Sequence, residues 1–164
     1  MNNSSNSSNF IGDGRHHPIT FSNDNFGFVV SGSYLNDMFK YDKVNDTWTQ
    51  LQDFPGSGRG YSYAVSVGDK AYLGFGSTDN GSFPVDWWEY DMINNSWNQL
   101  SSFIGNGRNH PAMIVVNNKI YVGCGSNDNG NLGDWWEYDI SSDSWTQKSD
   151  ICLLYTSPSP RDRQ

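Results

Sequence analysis

The sequence is short of cysteine, histidine and positive charge. Its 164 residues hold 2 cysteines, 3 histidines and 10 Lys plus Arg against 18 Asp plus Glu, a formal net charge of −8. With no basic stripe, nucleic acid is not expected as a partner. With one cysteine inside the patterned region, Cys124, no internal disulfide is expected there, and the redox compartment stays open. No apolar run is long enough for a secretory signal or a membrane span, and residues 1–9 read as a disordered polar lead-in. Amphipathic helical periodicity is missing too. The chain does have aromatics, at 15% of residues, and 17 glycines, a mix that suits an all-β protein.

Those aromatics recur. Asp134-Trp135-Trp136-Glu137-Tyr138-Asp139, with Trp145 beyond it, is almost repeated by Asp86-Trp87-Trp88-Glu89-Tyr90-Asp91 with Trp97. A weaker copy is Asp37-Met38-Phe39-Lys40-Tyr41-Asp42 with Trp48. Tyr41, Tyr90 and Tyr138 are spaced by 49 and 48 residues, and so are Trp48, Trp97 and Trp145, a period that means one supersecondary unit written three times. The expected repeats are 10–53, 54–102 and 103–150.

Each copy reads as four short strands. In the last, residues 112–116 form an apolar β-branched run, Asn117-Asn118 suits a hairpin turn with both residues at positive φ, and 119–125 return. A loop over 126–133 leads to a third strand at 134–139, and turn residues to a fourth at 144–148. Adjacent tryptophans on a strand point to opposite faces, so both faces of such a sheet need cover. Radial packing of similar sheets, the β-propeller, meets that demand.

On these residues each copy resembles a kelch repeat, of the galactose oxidase and kelch-like propeller superfamily. The resemblance rests on Gly74 and Gly76, Tyr90-Asp91 and Trp97 in one copy, and on Gly123 and Gly125, Tyr138-Asp139 and Trp145 in the next. The first copy has Gly32, but Val30 in the other glycine slot. It implies an all-β fold, about three four-stranded antiparallel blades in an open arc. Three blades do not close a ring, so the chain is expected to be a fragment of a larger propeller.

The candidate ligand residues are those that open each copy. Arg15, Arg59 and Arg108 each follow a glycine, and kelch propellers that bind peptides place arginines at similar positions around the channel mouth. A guanidinium fork there suits carboxylates, whereas pairing with a neighbouring blade's Asp or capping of loop carbonyls is the structural reading of the same residues. His17 and His110 lie two residues after their arginines, with Tyr61 in the same slot of the middle copy. Packed, hydrogen-bonded histidines are expected, and no metal, cofactor or catalytic residue is singled out. Asp42, Asp91 and Asp139 are expected to fix the turns that follow them.

The favoured function is a non-catalytic protein- or peptide-binding or scaffold module, with an acidic peptide among the candidate ligands. A fragment of a galactose-oxidase-like or other carbohydrate-active enzyme, or of a secreted adhesion array, is the alternative. After Asp150 the repeat wording stops, and residues 152–162 resemble the translation of a sequencing-library adapter. Residues 151–164 are therefore read as a non-native tail.

Overall fold

The computed structural model describes residues 9–150; the expected tail at 151–164 and most of the polar lead-in lie outside them. Every element among the described residues is a strand, and no helix there is long and apolar enough to cross a membrane. Twelve strands form three four-stranded antiparallel sheets. The first holds β1 (Ile19–Ser22), β2 (Phe26–Val30), β3 (Met38–Asp42) and β4 (Thr47–Gln50), in that spatial order. The second repeats the order with β5 (Tyr63–Val67), β6 (Lys70–Gly74), β7 (Trp87–Asp91) and β8 (Ser96–Leu100). The third has β9 (Ala112–Val116), β10 (Lys119–Gly123), β13 (Trp135–Asp139) and β14 (Ser144–Lys148). Between β10 and β13, where a plain loop is expected, Ser126–Asn127 and Gly130–Asn131 pair as the short hairpin β11–β12, turning at Asp128 and Asn129 into Gly130 at φ 107°.

The turns follow the residue chemistry. Asn117 and Asn118 hold φ of 50° and 59°, the two left-handed positions of a tight hairpin. After each third strand the repeated aspartate accepts backbone N–H groups: Asp42 from Val44 and Asn45, Asp91 from Ile93 and Asn94, Asp139 from Ser141. The tyrosine before it ties down the far side of the same turn. Tyr41 and Tyr138 donate their hydroxyls to Asp46 at 2.8 Å and Asp143 at 2.6 Å, and Tyr90 donates to the Asn95 amide oxygen at 3.1 Å. Asp46, Asn95 and Asp143 all lie near φ 50°, a left-handed position that Asp and Asn tolerate better than most side chains.

The sheets stack through their faces, with the first strands adjacent: β1 lies against β5, and β5 against β9. We call the face of each sheet that meets the following sheet its exit face, and the opposite one its entry face. Ile19, Phe28, Val30 and Met38, on the exit face of the first sheet, bury against Ala71, Leu73 and Tyr90 on the entry face of the second. Tyr72 and Trp87, on the exit face of the second, bury against Ile120, Val122, Trp136 and Tyr138 of the third. Trp87 and Trp88, adjacent on β7, thus serve two different cores, as alternation on a strand requires. A buried tryptophan removes roughly 150–250 Å² from water, worth at most about 4–6 kcal/mol at ~25 cal/mol/Å². The sheets therefore hold one another mainly through these side chains.

Candidate functional site

The three arginines sit in the short segments that lead into β1, β5 and β9. Each guanidinium grips, through both terminal nitrogens, the aspartate that precedes the third strand of its own sheet, and not one of a neighbouring blade as expected. Arg15 holds Asp37 at 2.5 and 2.9 Å, Arg59 holds Asp86 at 2.8 and 2.8 Å, and Arg108 holds Asp134 at 2.6 and 2.8 Å. The same nitrogens reach the carbonyls of Ser31, Phe75 and Cys124. Each guanidinium also lies over a phenylalanine of the segment before it, Phe10, Phe54 or Phe103, at 4.9 to 5.2 Å from the ring centre. The Arg59 and Arg108 side chains are fully buried, so these forks are engaged inside the protein. Burial alone would raise the Asp86 and Asp134 carboxyls. The hydrogen bonds and charge of Arg59 and Arg108, with indole N–H bonds from Trp88 and Trp136, outweigh it and hold both below the ordinary 3.8.

The histidines and tyrosine of the same segments face outward instead, and they meet. His17 stacks on Tyr61 with ring centres 4.1 Å apart, Tyr61 lies 5.0 Å from His110, and His17 and His110 are 5.9 Å apart. His17 and His110 are exposed rather than packed in a core, because left-handed backbone breaks the alternation that would aim them the same way as the inward arginine two residues earlier. His17, Tyr61 and His110 all adopt left-handed backbone, with φ of 50°, 59° and 50°. That conformation is uncommon outside glycine, Asn and Asp, and the blade-to-blade ladder holds it: the His110 N–H donates to the Tyr61 carbonyl at 3.0 Å.

The structure adds residues that sequence reading had passed over. His16 joins the group, its Nδ1 3.0 Å from that of His17 and its ring 6.2 Å from Tyr61, and Tyr34 and Tyr63 close the flanks. For His16 and Tyr63 the available signal was their place beside His17 and Tyr61 in the chain; Tyr34 had none. The aspartates that take up the arginines were visible as repeated letters, but nothing in one strand's sequence says which distant side chain they meet. Among the described residues no three His, Cys, Asp or Glu side chains gather as a metal site. Cys124, which holds the repeat position of the buried Phe75, is half-buried: Phe75 is covered by the third sheet, whereas Cys124 lies on that sheet's own exit side.

Comparison with known proteins draws these repeats together. A family model described as the KLHDC2/KLHL20/DRC7 Kelch-repeats domain matches residues 21–164. The chain belongs to the kelch-repeat family. A solved structure titled "Structure of YjhT" resembles this kelch chain with a TM-score of 0.73 at 20% identity, over 85% of this chain and 52% of that one. The kelch chain thus spans about half the length of that structure, and at this identity the likeness concerns the fold. No curated protein matches the chain.

Within the kelch frame, the repeat glycines take their places from close approach. Gly76 has φ 83°, and a Cβ there would stand 2.3 Å from the Gly60 carbonyl oxygen. Gly74 and Gly123 face the Trp87 and Trp135 rings, which a Cβ would meet at 2.7 and 2.2 Å. Gly125 repeats the Gly76 geometry at φ 85°. Trp48, Trp97 and Trp145 each pack on the tyrosine of their own copy, Tyr41, Tyr90 and Tyr138, at 4.6 to 5.1 Å.

Proposed function

We propose that this kelch arc is a non-catalytic binding or scaffold module that takes a protein or peptide at the end where β1, β5 and β9 begin, as part of a larger propeller. The observation that carries the reading is the row His17, Tyr61 and His110: three consecutive sheets bring their rings together on the outside, at backbone positions that cost energy to hold. Such rings offer flat apolar faces with polar edges, the surface that anchors partners with little loss of side-chain freedom. The arginines of the same segments act beneath them as fasteners, so the ligand need not be acidic. The repeat boundaries at 53/54 and 102/103 belong to this reading, since each unit then starts with its own Phe-to-Arg segment.

Selection from a displayed random-peptide library on the purified chain tests it. Peptides that bind the wild type are expected to lose affinity by at least about tenfold, roughly 1.4 kcal/mol, on Tyr61→Ala and on His110→Ala, with the circular dichroism unchanged. Failure to select any peptide, or binding indifferent to both substitutions, would reject the site.

A further inference from the structure

The two junctions between consecutive sheets are built from the same aromatic parts and closed differently. Between the second and third sheets, Phe103 makes T-shaped contacts with Trp136 and Trp145 at 5.1 and 4.9 Å. A clamp closes that junction. The Trp145 indole N–H donates to the Ser101 carbonyl at 3.1 Å, and the Asp143 carboxylate accepts the Ser101 N–H at 3.0 Å and the Ser101 hydroxyl at 2.9 Å. Trp136 and Trp145 are both only 8% exposed.

Between the first and second sheets the aromatic set recurs, with Phe54 in T-shaped contact with Trp88 and Trp97 at 5.5 and 5.0 Å. The clamp does not recur. Gln52 stands where Ser101 stands, and Asn95 where Asp143 stands. Asn95 has one oxygen and gives it to the Tyr90 hydroxyl, whereas Asp143 takes the Tyr138 hydroxyl on one oxygen and keeps the other for the Ser101 hydroxyl. The Trp97 indole N–H, buried like its counterpart, has no acceptor among the described residues. Trp88 and Trp97 are half-buried, and beside them a cleft of about 350 Å³ opens, rimmed by Gln52, Asp53, Asn95 and Ser96.

The lining sets the chemistry of what fits. Indole rings present flat apolar surface to C–H groups, while the amides of Gln52 and Asn95, the Ser96 hydroxyl and the Asp53 carboxylate supply donors and acceptors around it. A matching ligand has C–H faces edged with hydroxyls that both donate and accept, which describes a sugar ring. The volume lies at the lower end of the roughly 300–1,000 Å³ of small-ligand sites. The rim carries a carboxylate and no Lys or Arg, in a chain of net charge −8, so an uncharged sugar is favoured over an acidic one. We propose that the cleft between the first two sheets binds a neutral saccharide, its C–H face against Trp88 and Trp97 and its hydroxyls on the Gln52, Asp53, Asn95 and Ser96 rim. The site shares no residue with the row of His17, Tyr61 and His110, so it goes beyond the peptide-binding reading and does not depend on it.

Saturation-transfer NMR and isothermal titration on the purified full chain test it, with glucose, galactose, mannose, N-acetylglucosamine, lactose and glucuronate at up to about 50 mM as probes. At least one neutral sugar is expected to bind with a Kd of about 0.1–10 mM, ahead of glucuronate. Asp53→Ala, at an exposed rim position, is expected to weaken that binding by about tenfold. Gln52→Ser combined with Asn95→Asp rebuilds the clamp of the other junction and is expected to abolish binding with the thermal midpoint unchanged or raised. An aspartate is at home in that turn, since Asp46 and Asp143 hold the same position at φ 51° and 46°, beside 51° for Asn95. No binding by any neutral sugar, a preference for glucuronate, or binding indifferent to both variants on folded protein would each overturn the proposal.

Discussion

At the scale of single residues, the arginine-aspartate forks decide most. Arg108 is buried with its charge met by Asp134, the Cys124 carbonyl and the Phe103 ring, so losing the guanidinium strands a half-buried carboxylate and unseats a core phenylalanine. Arg108→Ala is expected to cost about 3 kcal/mol, near the low end for breaking a buried pair because Asp134 keeps some contact with water; urea unfolding would measure it. Acid acts on the same groups. Asp86 and Asp134 titrate below the ordinary 3.8, so the unfolded chain takes up their protons first. Their stabilisation is complete above pH 4 or so and is lost as pH falls through the lower folded values. Glu137, held down to about 2 by hydrogen bonds from Lys119, Tyr121 and Lys148, adds loss in the same direction. Thermal melts should therefore show a falling midpoint from about pH 4 downward, and in Arg108→Ala the Asp134 share of that slope should vanish.

At the scale of the strand and the blade, the departures from the repeat are as informative as the matches. Val30 occupies the slot of Gly74 and Gly123, and the residue opposite it is Met38 where the other copies have Trp87 and Trp135. The glycine and the indole are one choice: a Cβ at position 74 would strike the Trp87 ring at 2.7 Å, whereas a flexible methionine leaves room. Gly74→Val alone is expected to cost on the order of 3 kcal/mol through overpacking. Combined with Trp87→Met it should cost measurably less than the sum of the two single changes, a coupling that a double-mutant cycle reads directly. The Asn117-Asn118 turn was legible at this scale because its cause is local: two consecutive left-handed residues are an intrinsic need that Asn meets. The β11–β12 hairpin was not, since no alternating apolar pattern marks its two-residue strands.

At the scale of the whole molecule, identical words carry different energies according to what lies against them. Trp87 and Trp135 begin the same Trp-Trp-Glu-Tyr-Asp string, yet Trp87 is sealed between two sheets and Trp135 is half-buried on an outer face. Trp87→Ala is expected to cost about 3–5 kcal/mol, and to release the third sheet from the second before global unfolding. Trp135→Ala should cost well under half of that, and hydrogen exchange along β10 and β13 would separate the two cases. The sequence by itself determined the four sheet strands of each unit, the turn chemistry, the kelch repeat and the set of residues that open each copy, because period, alternation and turn preference act over a few neighbours along the chain. Only the tertiary structure decided that Arg59 turns inward onto Asp86, 27 residues away, while Tyr61 turns outward between His17 and His110. Which way a side chain points at the end of a strand depends on the sheets packed to either side, and that contact is written nowhere in the local sequence.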